Sequence, residues 1–187
     1  MSNSLKPVTP PYSAEVDAVL AQYPQRDGYI LKLFRVFANS VRFLRKGTVN
    51  LLDRDSPLTL RERELVILRT CANRGCEYEW GVHIGAFATA AALSGEQVEA
   101  TTVTEVADEL WSPSEATLLR VVDALCAKGT LDKALKTRFE TTWNTDQQLE
   151  IMALCGNYHT ISFVANVSEV PTEDFAASFP RGPSLPG

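Results

Sequence analysis

The fold is decided by residues 58–100, LTLRERELVILRTCANRGCEYEWGVHIGAFATAAALSGEQVEA, where apolar side chains recur at intervals of three and four and do not alternate. On a helix turning about 100° per residue, Leu60, Ile67, Leu68 and Cys71 share one stripe, and Arg61, Glu62, Arg63 and Arg69 lie off it. Gly75 separates this helix from the next, which Ser94-Gly95 ends. Extending the pattern outward predicts helices over 13–22, 28–46, 59–73, 76–93, 95–108, 113–128, 131–141 and 146–166. Ser56-Pro57 stands before the third of these and Ser112-Pro113 opens the sixth. β-branched alternating runs are missing, so the class is all-α, with short connections making neighbouring helices antiparallel.

A chain of 187 residues, 45% hydrophobic and 22% charged, fits one compact domain with a sizeable core. Residues 1–12 and 171–187 are rich in Pro, Gly and Ser. Both are therefore expected as tails or docking arms around a helical domain over 13–170. The net charge of −5, with no basic stripe, argues against nucleic acid as a partner. Charge is nevertheless uneven: residues 26–74 carry 11 basic and 5 acidic side chains, and residues 75–119 carry 8 acidic and no basic ones. That asymmetry suits either subunit contacts or two solvated helix faces of opposite sign.

The polar start MSNSLKPVTPPYS lacks the apolar stretch of an export signal. The most apolar run, 151–167, is interrupted by Asn157, His159 and Asn166 and is too short to span a membrane. Four cysteines, Cys71, Cys76, Cys126 and Cys155, then read as reduced thiols, and the cytoplasm is the expected compartment.

Glu64 falls inside the apolar stripe of its helix. There it is either paired with a cation or held neutral by burial, and the second state suits a general acid or base. On the next helix Cys76, Glu79, Trp80, His83 and Phe87 lie at i, i+3, i+4, i+7 and i+11 and share one face. A thiol, a carboxylate and an imidazole thus meet where this helix packs on the one bearing Glu64. Taken singly, His83 reads as a satisfied core histidine and Cys76 as a small buried hydrophobe; together the groups suit proton transfer or thiolate activation. No HExxH, paired Glu-x-x-His or CxxC pattern is present, so neither a metal nor another cofactor is expected. In CGNYHTISFVANV (155–167), His159 shares a face with Met152, Cys155, Ser162, Phe163 and Asn166. It either lines the far wall of the same cavity, with Trp80 and Phe87 as further substrate contacts, or pins its helix to a neighbour.

With these residues placed, the 58–100 stretch resembles the carboxymuconolactone decarboxylase family, which includes the AhpD-like alkylhydroperoxidases. Its peroxidase branch carries a Glu, a Cys twelve residues on, a second Cys three further and a His four further. Here those places hold Glu64, Cys76, Glu79 and His83. LFRVFANSVRFLRKG (33–47) and YHTISFVANVSEVP (158–171) are similar to family sequence too, which extends the resemblance to residues 28–171. It implies a helical-hairpin bundle assembled as a homo-oligomer, a trimer or hexamer or else a dimer, with the site near subunit contacts. Glu79 in place of the second Cys removes the local disulfide. The resemblance therefore implies acid–base chemistry of the decarboxylation type on a small organic acid or lactone, through Glu64, Glu79 and His83. The alternatives are a thiol peroxidase using Cys76 alone and a non-catalytic ligand-binding member. An anionic substrate calls for a cation, for which Arg61, Arg69, Arg74 or an arginine of another subunit is expected.

Overall fold

The computed structural model describes residues 5–103 and 105–180, and the described residues form helices without strands. The elements are α1 (Ala14–Leu20), α2 (Lys32–Phe37), α3 (Val41–Lys46), α4 (Leu60–Asn73), α5 (Glu77–Phe87), α6 (Gly95–Ala100), a 3-10 turn at Asp108–Leu110, α7 (Pro113–Lys128), α8 (Lys133–Thr142) and α9 (Thr145–Val167). The all-α class read from the sequence is what the chain adopts. Among the described residues no helix is long and apolar enough to cross a membrane.

Local chemistry sets the boundaries. Thr59, Ser94, Ser112 and Asn144 each cap a helix reciprocally with a Glu or Gln three residues on, which satisfies backbone donors the helix itself leaves unpaired. Gly129, at φ +67°, ends α7 in the left-handed region. Three predicted helices are shorter than their periodicity suggested. The 28–46 helix breaks after Phe37 because Ser40 is extended and caps α3, while the Asn39 amide donates to the carbonyls of Lys6 and Val36. The 76–93 helix stops at Phe87; Ala92 turns to φ +52° and Arg61 takes the carbonyls of Ala91 and Ala92. The 95–108 helix stops at Ala100, where buried Arg69 draws in the Thr101 carbonyl at 3.0 Å while gripping Asp123 with two nitrogens at 2.6 and 2.8 Å.

α4 is the centre of the bundle and packs against α5, α7 and α9. Leu65, Val66, Ile67, Leu68 and Cys71 on it are fully or almost fully buried, so it is surrounded rather than half-solvated, and polar side chains on it must find partners inside the protein. Residues 171–180, part of the stretch expected as a tail or docking arm, dock on α5. Glu173 is buried and accepts from Tyr29, Tyr78 and the Lys32 backbone; Ala177 donates to the Gly81 carbonyl at 3.1 Å, and Phe179 to Glu77 at 2.8 Å. The N-terminal stretch is anchored as well, Val8 donating to the Arg35 carbonyl at 3.1 Å. Residues 1–4 and 181–187 of the two expected tails lie outside the described residues.

Gly81 and Gly85, one turn apart on α5, are what lets this strap come so close: a Cβ at Gly81 would overlap the Ala177 carbonyl oxygen, and one at Gly85 that of Phe175. Gly81→Ala is expected to lift the strap and to cost about 1–3 kcal/mol despite alanine's better helix propensity, because the obstacle is backbone. Faster hydrogen exchange and proteolysis within 171–180, with a lower Tm, would show it; an unchanged Tm and unchanged protection would refute the tight seating.

Candidate active site

Three helices each bring polar side chains to one buried point. α4 supplies Glu64, α5 supplies Glu79 and His83, and α9 supplies Tyr158; all four are at most 5% exposed. The imidazole is held at both nitrogens. His83 Nδ1 lies 2.7 Å from Glu64 Oε2, its Nε2 lies 2.9 Å from the Tyr158 hydroxyl, and Glu79 Oε2 stands 3.6 Å from the same Nε2. A carboxylate on Nδ1 keeps a proton there in the neutral ring, which makes Nε2 the acceptor of the Tyr158 hydroxyl. The alternatives left open for Glu64 thus resolve to pairing. Its second oxygen, Oε1, accepts no hydrogen bond and faces Arg63 Nε at 3.8 Å.

Burial sets the electrostatics and the neighbouring charges redirect it. For His83 burial disfavours the imidazolium, but the charge and hydrogen bond of Glu64, helped by Glu79, outweigh it and hold the pKa above the ordinary histidine value. Burial pushes the Glu79 carboxyl up; His83 pulls it down and Glu64 pushes it further up, leaving it raised. Tyr158 is held well above the usual phenol range, by burial first and then by the charges of Glu79 and Glu64. The result is a base, a carboxyl of raised pKa and a firmly protonated phenol gathered at one buried point.

That group forms the buried end of a cavity of about 990 Å³, lined there by Glu79, His83, Tyr158 and Phe87, with the Phe87 and His83 ring centroids 5.3 Å apart. The opposite rim is exposed and carries Gln22, Gln25, Arg26, Arg45 and Asn50. Glu64 stands behind His83, off the wall.

Of the residues singled out in the sequence, Glu64, Glu79, His83 and Phe87 come together here. The other three do not line the cavity. Cys76 is fully buried beside Cys71, whose thiol donates to it and holds its pKa below the ordinary thiol value against the effect of burial. Trp80 is a packing residue: its Nε1 donates to Thr101 at 2.9 Å and its ring meets Phe179. His159 is half-buried, donates from Nδ1 to the Cys155 carbonyl of its own helix at 2.9 Å, and contacts Phe163. The α9 residues on the wall are Asn157, Tyr158 and Ile161, and Tyr158, the neighbour of His159, brings the hydroxyl because the inward stripe of that helix runs Ile151, Leu154, Tyr158, Ile161 and Ala165. The arginines considered as counter-ions are engaged elsewhere: Arg61 with Glu115, Arg69 with Asp123, and Arg74 with the Asn73 carbonyl. Among the described residues no group of three or more His, Cys, Asp or Glu is placed to hold a metal ion.

The model of the carboxymuconolactone decarboxylase family matches residues 42–124, from α3 into α7. No curated protein matches the chain. The matched span contains Glu64, Glu79 and His83 and the α4–α5 pair that presents them; it leaves out Tyr158 and the α1–α2 side of the cavity wall. Residues 42–124 of this chain are thus a carboxymuconolactone decarboxylase family domain.

Proposed function

We propose that the protein is an acid–base enzyme that moves a proton on a carbon next to the carbonyl of a lactone. The single observation that carries this reading is the chain Glu64–His83–Tyr158, with contacts of 2.7 and 2.9 Å, ending on the wall of a ligand-sized cavity. The Tyr158 oxygen takes the proton from the α-carbon as its own proton passes to His83 Nε2. The electron pair left on carbon moves to the carbonyl oxygen, and Glu79, whose pKa burial raises, donates a hydrogen bond to that enolate when it holds its proton. Glu64 balances the imidazolium that forms. Return of the proton to the α-carbon or the γ-carbon completes exchange or isomerisation. Decarboxylation of a carboxylate is less well supported, because Arg61, Arg69 and Arg74 are engaged elsewhere and lie off the cavity wall.

A second reading, a one-cysteine peroxidase, is favoured by the lowered Cys76 pKa. The two separate on one variant. Deuterium uptake into a β,γ-unsaturated butenolide, a γ-lactone whose α-carbon carries acidic protons, followed by NMR, is expected to be the same within about twofold for Cys76→Ser and for the wild type. No uptake by the wild type, together with hydroperoxide consumption that Cys76→Ser abolishes, would replace the acid–base reading with the peroxidase. We propose, finally, that a second copy of this chain covers the outer face of α9, where Leu149, Met152, Phe163 and Val167 are 42–76% exposed along one helix. Light scattering is expected to give a multiple of the chain mass that Phe163→Glu lowers; a monomeric wild type would sink the assembly.

A further inference from the structure

The cavity is built for more than the polar groups at its buried end. Its volume of about 990 Å³ stands at the top of the range for drug-sized ligands, and between that end and the rim its wall is formed by Leu33, Phe34, Phe37, Leu44, Leu51 and Leu52. Such a wall stabilises an aliphatic body and offers nothing to a charge.

The charges on the wall are equally selective. Apart from His83, its cationic side chains are Arg26 and Arg45, both at the exposed rim and both engaged: Arg26 lies over the Phe175 ring at 4.4 Å, and Arg45 pairs with Glu15 at 3.1 Å. Both nitrogens of His83 are already taken, by Glu64 and Tyr158. Buried Arg63 is off the wall, facing Glu64 and donating to the Asp53 carbonyl. A carboxylate seated at the buried end would therefore meet Glu79 directly, with Glu64 behind the ring and no unshared cation to balance it. Desolvating a charge under those conditions is strongly unfavourable. A carbonyl oxygen brings no charge to the buried end, so seating it there avoids that penalty.

We infer that the cavity takes an uncharged carbonyl compound with an aliphatic body, carbonyl inward, and turns away the carboxylate of the same body. This rests on the proposed acid–base reading only for which end receives the carbonyl. The test is calorimetric titration of the full chain with γ-hexylbutenolide and with decanoate, which have equal carbon counts, at about pH 8, where the acid is ionised. The butenolide is expected to bind at least about tenfold more tightly; decanoate binding as tightly or more tightly overturns the inference. Leu51→Trp, which fills the wall at a half-buried position away from the proton-transfer groups, is expected to weaken butenolide binding by at least about tenfold with an unchanged circular dichroism spectrum. Unchanged affinity in that folded variant would place the ligand elsewhere and also overturn it. The two proposals fail separately. Preferential butenolide binding without proton exchange removes the acid–base reading alone, and exchange accompanied by equally tight decanoate binding removes this inference alone.

Discussion

Replacing His83 with glutamine is expected to lower the rate of deuterium uptake into a butenolide by about 10²- to 10⁴-fold, the range for loss of a positioned acid–base group. Glutamine keeps a polar group of similar reach between Glu64 and Tyr158, and can satisfy both of them, so the loss belongs to chemistry rather than folding. Its amide cannot accept the Tyr158 proton near neutral pH. The phenol, already held well above its ordinary pKa by burial and by the charges of Glu79 and Glu64, is then left without a base. The measurement is NMR in deuterated water at saturating ligand, with circular dichroism to confirm the fold. A variant that exchanges at nearly the wild-type rate would show that His83 is a core histidine and that the proton moves by another route.

The sequence carried the polar centre of this site better than its walls. Glu64 on an apolar stripe and His83 on the face it shares with Glu79 are legible because helical periodicity converts spacing into direction, and both side chains do point into the α4–α5 contact. Tyr158 was missed by one position. The face drawn through His159 and Ser162 gathers polar side chains, whereas burial follows the apolar row Ile151, Leu154, Tyr158, Ile161 and Ala165, and a tyrosine in such a row is the residue that brings a hydroxyl inside. Cys76 shares the face of His83, yet it sits at the helix start, against Cys71 and away from the cavity. A shared face fixes direction and says nothing of depth along the axis.

The segments around the bundle were less legible because their structure comes from long-range contacts. Residues 171–180 have the composition of a tail, and only their partners make them a strap: Glu173 finds two phenols and the Lys32 backbone, and the chain lies in the groove left by Gly81 and Gly85. The Gly-x-x-x-Gly spacing of Gly81 and Gly85 on α5 was the available signal. The cavity itself owes most of its wall to residues 18–52, where short helices broken by side-chain capping give no long periodic pattern to read.

Glu64→Gln is expected to destabilise the protein by about 3–5 kcal/mol at about pH 6, the cost of breaking a buried pair by removing one charge, and by clearly less at about pH 9. The sign follows from the direction of the His83 pKa. In the wild type it lies above the unfolded value, so the interaction stabilises the fold fully below about pH 6.5 and is lost as pH rises through the folded value. Without the Glu64 charge, burial becomes the stronger influence and the imidazolium is disfavoured in the folded protein. The variant must then either bury an unbalanced cation or give up a proton that the unfolded chain keeps, so the gap between the two proteins widens as pH falls. Above the folded pKa the ring is neutral in both, and the glutamine oxygen still accepts from Nδ1, which leaves only a hydrogen bond to a charged partner exchanged for one to a neutral partner. Glu79 does not reverse this: its raised pKa makes the fold lose stability with rising pH from about 4.5 upward in the wild type, and with Glu64 neutral that loss shrinks, again favouring the variant at high pH. Urea denaturation of both proteins at the two pH values measures the difference. A penalty independent of pH would mean that Glu64 holds His83 as a neutral packing group, and proton transfer through that pair would have to be abandoned.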